Sequence, residues 1–327
     1  MIRFSIVITT YNRLDLLKRS IASALEQTLP CEIIVVDNAS PDGTQAYVAE
    51  LTQAGHPLIY HRNESNLGHS GAVNAGVQRA TGDWIKLVDD DDYLASTCLE
   101  AMAQAIELHP AAVICSCQAA QVDPEGKEIS RTRQTGPGQA FCIPQPDIHY
   151  GMLLECVPFG TPIQVAFRRD AFLQSGEWDT GMTLCDDIDS WIRIAQFGDA
   201  IFLNQCLAYR TVWEGGFNRQ SAWQERLAVN VQIKEKIHAL VSESHRAHVP
   251  PIAHIQEYLK LHWGLAALKQ KALAPAFALG FPAVLSPTAW QLLLKARRQQ
   301  DANPPIQRVV LMASPANEKS EPVAADL

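Results

Sequence analysis

Short apolar segments with the composition of β-strands alternate with helical patterns along the first third of the chain. The predicted strands are residues 4–9, 32–36, 58–62, 84–88 and 113–119. The predicted helices between them are residues 14–27, 43–54, 70–80 and 97–109. This alternation predicts right-handed βαβ units and a mostly parallel α/β sheet that is covered by helices on both faces. Ligands bind such sheets at the carboxyl ends of the strands, so the loops at 10–13, 37–43 and 89–92 are expected to meet there.

The pattern changes in the second half of the chain. Residues 121–148 are polar and contain Gly and Pro, which predicts a hairpin or a long loop. Later strands are expected at 164–168, 200–203 and 207–211, and later helices from residue 170 and over 188–197, 220–241 and 251–271. The predicted organisation is an α/β domain over 1–219, a helical C-terminal extension over 220–300 and a disordered tail over 301–327.

The segment 272–298 is strongly apolar up to Leu294 and then carries a Lys/Arg cluster. A spanning helix needs ~20 predominantly apolar residues, and Pro275, Pro282 and Pro287 disfavour an uninterrupted span of that length. Two interpretations stay open. The segment is a peripheral membrane anchor whose cations lie near anionic lipid, or it is a helical hairpin packed on the domain or on another subunit in a homo-oligomer.

Composition and charge restrict the class of protein. A hydrophobic content of 47% over 327 residues is ample for a packed core. The net charge of -8, with no Lys/Arg-rich block before residue 295, argues against a nucleic-acid-binding surface. The eight cysteines are scattered without zinc spacing, and a strand begins almost at the N-terminus with no signal peptide before it. We therefore expect a cytoplasmic location, at the inner face of the cell membrane if the anchor interpretation holds.

Four consecutive aspartates, Asp89 to Asp92, directly follow the apolar run 84–88. Close carboxylates repel one another, and this repulsion raises the cost of ionising each of them unless they share a cation. Mg²⁺ or Mn²⁺ suits the cluster, because hard cations sit on one or two carboxylates while nucleotide phosphates complete the coordination. The structural alternative is that Asp92 or Ser96 caps the helix predicted to begin near residue 97, which would require only one residue.

Five sequence blocks, in order, resemble the inverting family 2 glycosyltransferases, which have the GT-A fold. The blocks are SIVITTYNR at 5–13, IVVDNASPDGT at 34–44, NLG at 66–68 with NAG at 74–76, GDWI at 82–85 leading into the aspartates, and GEWD, CDDID and WIR between 176 and 193. The resemblance covers residues 4 to 215. It implies a GT-A sheet of the type that binds nucleotide-diphosphate sugars.

The resemblance also implies site residues. The implied nucleotide-binding set is Thr10, Tyr11, Asn12, Arg13, Asp37, Asn66, Gly68, Asn74, Asp89 and Asp90. Asp37 is expected to accept the N–H of uracil or another base, with a turn-forming role in 37–43 as the alternative. Asp89 and Asp91 take the outer positions of the family's D-x-D pattern, so Asp91 is expected to bind the metal directly and Asp89 to address the metal or ribose. Asp92 is left between a supporting role and a helix cap.

Asp186 and Asp187 correspond to the acidic pair of the family, in which the second member is the general base and the first orients it. A base is needed because a sugar hydroxyl is a poor nucleophile until it loses its proton, an effect worth ~10² to 10⁴ in rate. The alternative is that Asp186, Asp187 and Asp189 occupy a first helical turn, where the helix dipole favours acids. The first position of the pair is a shorter Asp here, where the family more often has Glu.

Residues after the predicted strand 207–211 complete the expected site. Many relatives have a metal-binding His there, which this sequence lacks; Glu214 is a candidate substitute. Residues 215–219 are expected to form a loop that closes over the diphosphate, with Arg219 as a cationic contact. Trp213 is expected to stack on a sugar or, equally, to pack in the core.

Together these features predict a metal-dependent inverting glycosyltransferase that uses a nucleotide-diphosphate sugar, preferably UDP-linked. The predicted acceptor is a hydroxyl of a glycan or lipid-linked molecule in surface polysaccharide synthesis. One alternative is a nucleotidyltransferase, which is disfavoured because no Gly-rich basic loop follows the first strand. The other is a catalytically silent sugar-nucleotide-binding protein, which the intact acidic pairs disfavour. The sequence has no P-loop, dinucleotide-binding or serine-hydrolase motif.

Overall fold

The computed structural model describes residues 2–213, 222–281, 283–299 and 306–314, with side chains up to Lys295 in the third range. The strands are β1 (Phe4–Thr10), β2 (Glu32–Asp37), β3 (Leu58–Arg62), β4 (Trp84–Asp89), β5 (Tyr93–Leu94), β6 (Ala112–Val122), β7 (Glu128–Arg131), β8 (Ala140–Ile143), β9 (Val165–Arg168), β10 (Asp199–Thr211) and β11 (Val309–Met312). The helices are α1 (Leu14–Leu25), α2 (Thr44–Gln53), α3 (Gly68–Arg79), α4 (Cys98–Leu108), α5 (Gln145–Leu153), α6 (Arg169–Gln174), α7 (Asp186–Ile194), α8 (Trp223–Leu240), α9 (Ile252–Lys269), α10 (Leu273–Gly280) and α11 (Pro287–Gln299).

One sheet runs through the molecule, and its first half is parallel as the sequence predicts. The strands lie in the order β3-β2-β1-β4, all parallel. All seven residues of β1 are buried. Alternate side chains of this strand enter two cores, since Ile6 and Ile8 pack with Leu17 of α1 on one face and Val7 packs with Val73 of α3 on the other. A strand covered on both faces has an unbroken apolar run, which explains why the sequence pattern predicts it well.

The second half of the sheet is mixed, so the prediction of a mostly parallel sheet holds only for part of it. β9 lies between β4 and β6 and is antiparallel to both. β10 is parallel to β6. β8 is antiparallel to β10, and the edge strand β11 is antiparallel to β8. Strand direction depends on how distant segments pair, and a local apolar pattern carries no information about it.

Lys86 on β4 helps to hold β9 in place, although the sequence gives it no special role. Its side chain is completely buried, and burial lowers its pKa. Its ammonium group donates to the carbonyl oxygens of Ile163 at 2.5 Å, Leu87 at 3.1 Å, Pro162 at 3.3 Å and Val165 at 3.4 Å. These bonds satisfy carbonyl groups where the chain enters β9.

Two predicted segments differ from the structure. Residues 121–148 do contain a hairpin, formed by β6 and β7, but they also contain the buried strand β8 and the start of α5. The predicted strands at 200–203 and 207–211 are one strand, β10, whose register shifts around Cys206. An extra residue in a β-bulge breaks the alternation of side chains, so the sequence pattern indicates two short strands where there is one.

The C-terminal helices share a core with the sheet. Ile237 of α8 and Leu259 of α9 belong to the same buried cluster as Phe141 and Phe202 on the strands. The disordered tail predicted for 301–327 is wrong for residues 306–314, because Ile306 is buried and β11 pairs with β8. These residues are ordered by partners far away in sequence, which composition does not reveal.

The apolar segment after residue 271 forms two helices, α10 and α11, which pack against α9. Gly264 and Gly280 allow a close approach, since a Cβ on Gly264 would lie 2.6 Å from the Gly280 Cα. Ala289 and Leu293 are the buried residues on the inner side of α11. Among the described helices, none combines the length and apolarity that a bilayer span requires. This geometry matches the packed helical hairpin that the sequence left as one interpretation.

Candidate active site

The predicted site loops meet at the carboxyl ends of β1, β2 and β4. In the register of the sheet, Thr9 lies beside Asp89 and Thr10 lies beside Asp37. The first turn of α3 reaches both the end of β4 and the first turn of α7 through hydrogen bonds of His69 and Ser70. The fold thus brings separate parts of the chain to one edge of the sheet.

Asp90 fastens the aspartate run to the loop after β1. Its carboxylate accepts hydrogen bonds from the Thr10 hydroxyl at 2.9 Å, the Tyr11 N–H at 3.3 Å and the Arg13 guanidinium at 3.0 Å. Burial raises the pKa of Asp90 to about 6, against the effect of Arg13. Thr10 and Asp90 are both buried, and their hydrogen bond fixes the loop after β1 from its buried side. Nucleotide contact by these two side chains stays a prediction, whereas Tyr11, which is also predicted to bind the nucleotide, is exposed on the loop.

His69 joins the aspartate run to the acidic pair. Its Nε2 lies 2.9 Å from Asp89 Oδ1, and its Nδ1 lies 3.4 Å from Asp186 Oδ2. Burial acts to lower the pKa of His69, but the Asp89 and Asp186 carboxylates raise it well above its usual value. Burial acts to raise the pKa of Asp89, but its contact with His69 holds that pKa below its usual value. The edge of the His69 ring also packs on Trp178, with ring centroids 5.2 Å apart.

The acidic pair lies at the start of α7, and its two members have different surroundings. Asp186 accepts hydrogen bonds from the Ser70 hydroxyl at 2.8 Å and from the Asp187 N–H at 3.1 Å. The Asp187 carboxylate accepts the Ile188 N–H at 2.8 Å. Burial and the neighbouring Asp186 raise the pKa of Asp187 to about 7, whereas His69 and Ser70 hold that of Asp186 below its usual value against burial. Asp187 therefore has the pKa of a group able to exchange protons near neutral pH.

Asp91 lies between Arg13 and Trp213. The Trp213 indole N–H donates to Asp91 Oδ2 at 3.0 Å, and Arg13 Nη1 lies 3.6 Å from the same oxygen. The Arg13 guanidinium lies over the Trp213 ring, 5.3 Å from its centroid. Trp213 thus contacts the aspartate run, and its stacking on a sugar stays a prediction. Arg219 and Glu214 lie outside the described residues.

Asp92 binds β10 and does not cap a helix. Its Oδ1 accepts the Thr211 N–H at 2.9 Å, and burial together with Asp91 and Asp89 raises its pKa well above the usual value. The residue that precedes α4 is Thr97, so the prediction of a cap at Asp92 or Ser96 is wrong. The short strand β5 separates Asp92 from the helix.

Asp37 makes its hydrogen bonds within the protein. Its side chain is completely buried, and it accepts the Ser40 N–H at 2.7 Å, the Tyr60 hydroxyl at 2.6 Å and the Arg62 guanidinium at 2.5 Å. A base could reach this carboxylate only if Tyr60 or Arg62 moved. The turn-forming role of Asp37, through Ser40, is present, and its contact with a base stays a prediction.

The sequence blocks 66–68 and 74–76 position α3. Asn38 donates to Asn66 Oδ1 at 2.7 Å and to the Gly68 carbonyl at 3.1 Å, and Asn66 Oδ1 also accepts the Gly68 N–H. Gly68 has a φ of +74°, which a residue with a Cβ rarely adopts. Asn74 bonds the backbone N–H and carbonyl of Trp178, both at 2.9 Å. The Asn74 amide group is thus engaged with the backbone of Trp178, and its predicted nucleotide contact stays a prediction.

Left-handed backbone marks three loops of the site. Asn12, Ala39 and Cys185 have φ values of 55°, 68° and 56°. Asn12 donates its N–H to Ser40 Oγ at 2.9 Å, which joins the loops after β1 and β2. Cys185 directly precedes Asp186 and sets the entry into α7. Such conformations are costly for Ala and Cys and cluster at functional sites.

The described residues contain no group of three or more His, Cys, Asp or Glu side chains arranged to hold a metal ion by themselves. Burial and the nearby Asp89 raise the pKa of Asp91, so negative charge at this place is not fully neutralised. A hard cation held by one or two carboxylates and completed by diphosphate oxygens and water fits such a donor set. The residues present therefore fit Mg²⁺ or Mn²⁺ that binds together with a nucleotide.

Two surface cavities lie at the carboxyl ends of the strands. One, of about 370 Å³, follows β3 and is lined by Arg62, Asn63 and Leu67 among others. The other, of about 350 Å³, follows β1 and is lined by Asn12, Arg13 and Asp42 among others. Both lie at the strand ends where open α/β sheets bind ligands.

Several residues of this site were not predicted from the sequence. His69, Ser70, Tyr60, Arg62 and Trp178 all contact predicted site residues. His69 and Ser70 stand between the blocks 66–68 and 74–76, so their position inside the pattern was a usable signal. Tyr60 and Arg62 lie at the end of a predicted strand without a motif of their own.

Comparison with known proteins agrees with this fold. Residues 5–175, more than half of the chain, match the family model described as glycosyl transferase family 2. The chain therefore belongs to glycosyl transferase family 2, as its sequence blocks indicate.

Two curated relatives are similar to parts of this chain. The amylovoran biosynthesis glycosyltransferase AmsE of Erwinia amylovora is 27% identical over 61% of this chain and 71% of its own length. The GalNAc(5)-diNAcBac-PP-undecaprenol beta-1,3-glucosyltransferase of Campylobacter jejuni is 32% identical over 40% of this chain and 43% of its own length. The match thus spans less than half of the second relative.

Solved structures share the GT-A type fold over most of the chain. TarS of S. aureus in complex with UDP has a TM-score of 0.58 at 17% identity, covering 90% of this chain and 88% of that one. The mannosyltransferase PcManGT of Pyrobaculum calidifontis, in complex with GDP-Man and Mn²⁺, has a TM-score of 0.54 at 20% identity, covering 91% and 86%. This likeness confirms the predicted fold class, an α/β sheet flanked by helices with a helical C-terminal region.

Proposed function

We propose that this protein is an inverting glycosyltransferase that transfers a sugar from a nucleotide-diphosphate donor to a hydroxyl group of a glycan or lipid-linked acceptor. The observation that carries the proposal is the bridge made by His69 between Asp89 and Asp186. Through this bridge, the aspartate run at the end of β4 and the acidic pair at the start of α7 border one space. A donor diphosphate and an acceptor hydroxyl must meet in such a space for direct transfer.

The relatives support the role in surface polysaccharide synthesis. One is named for amylovoran biosynthesis, and the other for an acceptor linked to undecaprenol diphosphate. The similar structures contain UDP or GDP-Man, so both bases remain candidates and UDP is our first choice. We assign the protein to the cytoplasm, or to the inner face of the membrane where a lipid-linked acceptor would be available. The domain 1–219 would hold the site, with 220–300 as its helical extension.

Donor binding is assigned to the edge formed by β1, β2 and β4. The exposed Tyr11 and the two cavities at the strand ends are assigned to the base, with Arg62 as a cationic neighbour. Arg13 lies at the aspartate run, where it would face the diphosphate. Asp91 and Asp89 would hold Mg²⁺ or Mn²⁺, which supplies charge neutralisation for the leaving diphosphate when bound.

The chemical step is assigned to Asp187. Its carboxylate takes the proton of the acceptor hydroxyl as that oxygen forms its bond to the anomeric carbon. The bond from that carbon to the diphosphate oxygen breaks, and its electron pair leaves with the nucleoside diphosphate. One displacement inverts the anomeric configuration. Asp186 acts by orientation, because Ser70 and the Asp187 N–H already hold it.

The test compares Asp187→Asn with the unchanged protein, using UDP- and GDP-sugars with an undecaprenol-linked glycan acceptor. We expect donor affinity to persist and the transfer rate to fall by ~10² or more, since Asn keeps the shape and loses the basicity. Asp189→Asn would be a poor control because Asp189 is ion-paired, so the exposed Asp179→Asn serves as the control. A normal transfer rate in Asp187→Asn would contradict the assigned base, and donor binding without any transfer by the unchanged protein would favour a silent binding protein.

A further inference from the structure

The helices α10 and α11 expose an apolar surface that the described structure does not cover. We define the C-terminal apolar surface by Leu268, Leu273, Phe277, Phe281, Leu285 and Trp290. Leu273, Phe277 and Leu285 are the most exposed of these, at 69%, 71% and 71%. Phe277 and Phe281 stack on each other, with parallel rings 5.3 Å apart, so they form a continuous patch.

This exposure is concentrated and not scattered. Of 17 large apolar side chains exposed in the described residues, 8 lie between Leu268 and Leu294. The opposite sides of the same helices are packed, since Leu279, Ala289 and Leu293 are buried. A stable core therefore fixes the helices while their outer sides remain open. Single exposed apolar residues are ordinary, but a contiguous set marks an interaction surface.

Charge indicates what covers this surface. Residues 258–300 contain six Lys or Arg and no Asp or Glu, in a chain whose net charge is -8. Lys269 and Lys271 precede the start of α10, and Lys295 follows Leu294 on α11. All three lysines are exposed. Exposed Phe, Leu and Trp bordered by cations are typical of helices that lie in the interface of an anionic bilayer.

A second copy of this chain fits the surface less well. A symmetric dimer places the same patch on both sides of the contact, so each basic border would face another basic border. Residues 258–300 contain no acidic residue, and Glu257, directly before them, already accepts a hydrogen bond from Ser286. An anionic lipid surface meets both requirements at once, because it accepts apolar side chains below the headgroups and cations beside them.

We propose that the C-terminal apolar surface docks on the surface of an anionic lipid bilayer, with α10 and α11 lying in the plane of the interface. Phe277, Phe281, Leu285 and Trp290 enter the headgroup boundary, and Lys269, Lys271 and Lys295 lie against anionic headgroups. The inference goes beyond sugar transfer, because docking depends on neither a donor nor the aspartates of the site.

The test is flotation of the full-length protein with vesicles of phosphatidylcholine alone or mixed with phosphatidylglycerol, at low and high salt. We expect binding to the anionic vesicles, weaker binding to the neutral ones, and a decrease with salt. The double variant Phe277→Gln/Leu285→Gln should lower partitioning at least about tenfold, since both side chains enter the interface. Lys269→Glu/Lys271→Glu should remove the preference for anionic vesicles.

The matched control is Leu108→Gln/Ile129→Gln, which removes two apolar side chains that are 56% and 59% exposed elsewhere on the molecule. This control should bind vesicles like the unchanged protein. Equal loss in the control would overturn the assignment of the surface. Absence of vesicle binding overturns the proposal as well, and a dimer that Phe277→Gln/Leu285→Gln dissociates would assign the surface to a second copy. This experiment measures vesicle partitioning and not sugar transfer. A negative result therefore leaves the proposed sugar transfer unaffected, and a failure of the proposed transfer leaves the docking proposal unaffected.

Discussion

His69 occupies a position that decides the geometry of two carboxylates at once. Its two ring nitrogens lie within reach of Asp89 and Asp186, which come from different elements. A side chain with two hydrogen-bonding nitrogens in one rigid ring fixes the separation of its partners better than flexible groups do. The raised pKa of His69 agrees with a cation between two anions. We infer that His69 positions the carboxylates and has no part in bond breaking.

The variant His69→Gln tests this positioning role. Gln is neutral and carries both of its N–H donors on one nitrogen, so it cannot hold the two carboxylates as the ring does, and we expect kcat to fall about 10- to 100-fold with a smaller change in the donor KM. The measurement is steady-state transfer kinetics. His56→Gln is the matched control, because His56 is exposed after α2 and away from the aspartates. An unchanged kcat in His69→Gln would contradict the role.

The pKa of Asp187 predicts how activity and stability depend on pH. A base with a pKa of about 7 is protonated at lower pH, so the transfer rate should fall as pH decreases through that value. Folding raises this pKa from 3.8, so the folded state binds the proton more tightly than the unfolded state does. The free-energy cost of ionised Asp187 therefore grows as pH rises from about 4 to about 7 and is constant above that range.

Replacing Asp187 by Asn removes that cost. Asp187→Asn should raise Tm more at about pH 8 than at about pH 4, where little of the penalty has yet appeared. Thermal unfolding at the two pH values measures it. A larger gain in Tm at the lower pH would show that the sign of the shift is wrong.

Asp91 is the residue on which the metal prediction depends. Asp91→Asn removes the charge but keeps the hydrogen bond from Trp213, so the fold should remain intact. We expect loss of most of the additional thermal stabilisation that Mn²⁺ gives in the presence of UDP, which for saturating ligand reaches ~2.7 kcal/mol at 100 times the dissociation constant. Asp83→Asn is the control, since Asp83 forms an exposed ion pair with Arg3. An unchanged metal-dependent shift would place the cation elsewhere.

Among the elements of the fold, β9 depends on a single buried cation. Strand β9 lies between β4 and β6 and is antiparallel to both. The Lys86 ammonium donates hydrogen bonds to several carbonyl oxygens where the chain enters this strand. Burying a charge is costly, so these bonds are needed to offset the loss of hydration. The lowered pKa of Lys86 records the same cost of burial.

The variant Lys86→Met tests the importance of this element. Met fills similar volume but leaves the carbonyl groups without donors, so we expect the free energy of unfolding to fall by about 1–3 kcal/mol. Denaturant unfolding gives the value. Lys18→Met, on the exposed face of α1, should change stability by no more than a few tenths of that amount. A more stable Lys86→Met protein would mean that relief of the buried charge outweighs the lost hydrogen bonds.

At the scale of the whole molecule, the C-terminal region completes the domain that the sequence blocks begin. Lys234 of α8 donates to the Met152 and Leu153 carbonyls at the end of α5, and Lys236 bonds Asp189 of α7 at 2.5 Å. The second contact links the helical extension to the helix that begins with the acidic pair. The extension therefore supports the site as well as the C-terminal apolar surface.

The sequence by itself determined the parallel half of the sheet and the positions of its aspartates. Strands such as β1 are apolar on both faces, and the helices between them show a clear period, so local pattern was enough. The aspartate run and the acidic pair were found for a similar reason, since short blocks with fixed spacing identify the family. The family comparison confirms that resemblance.

Only the tertiary structure decided which of those residues are hydrogen-bonded within the protein itself. Asp37, Asn74 and Asp90 were predicted from the same family resemblance as Asp89, yet their polar atoms bond Arg62, Trp178 and Arg13. Likewise β9, β11 and the place of Lys86 follow from pairing between distant segments. Side-chain type and spacing are local properties, whereas burial and hydrogen-bond partners depend on contacts between residues far apart in the chain.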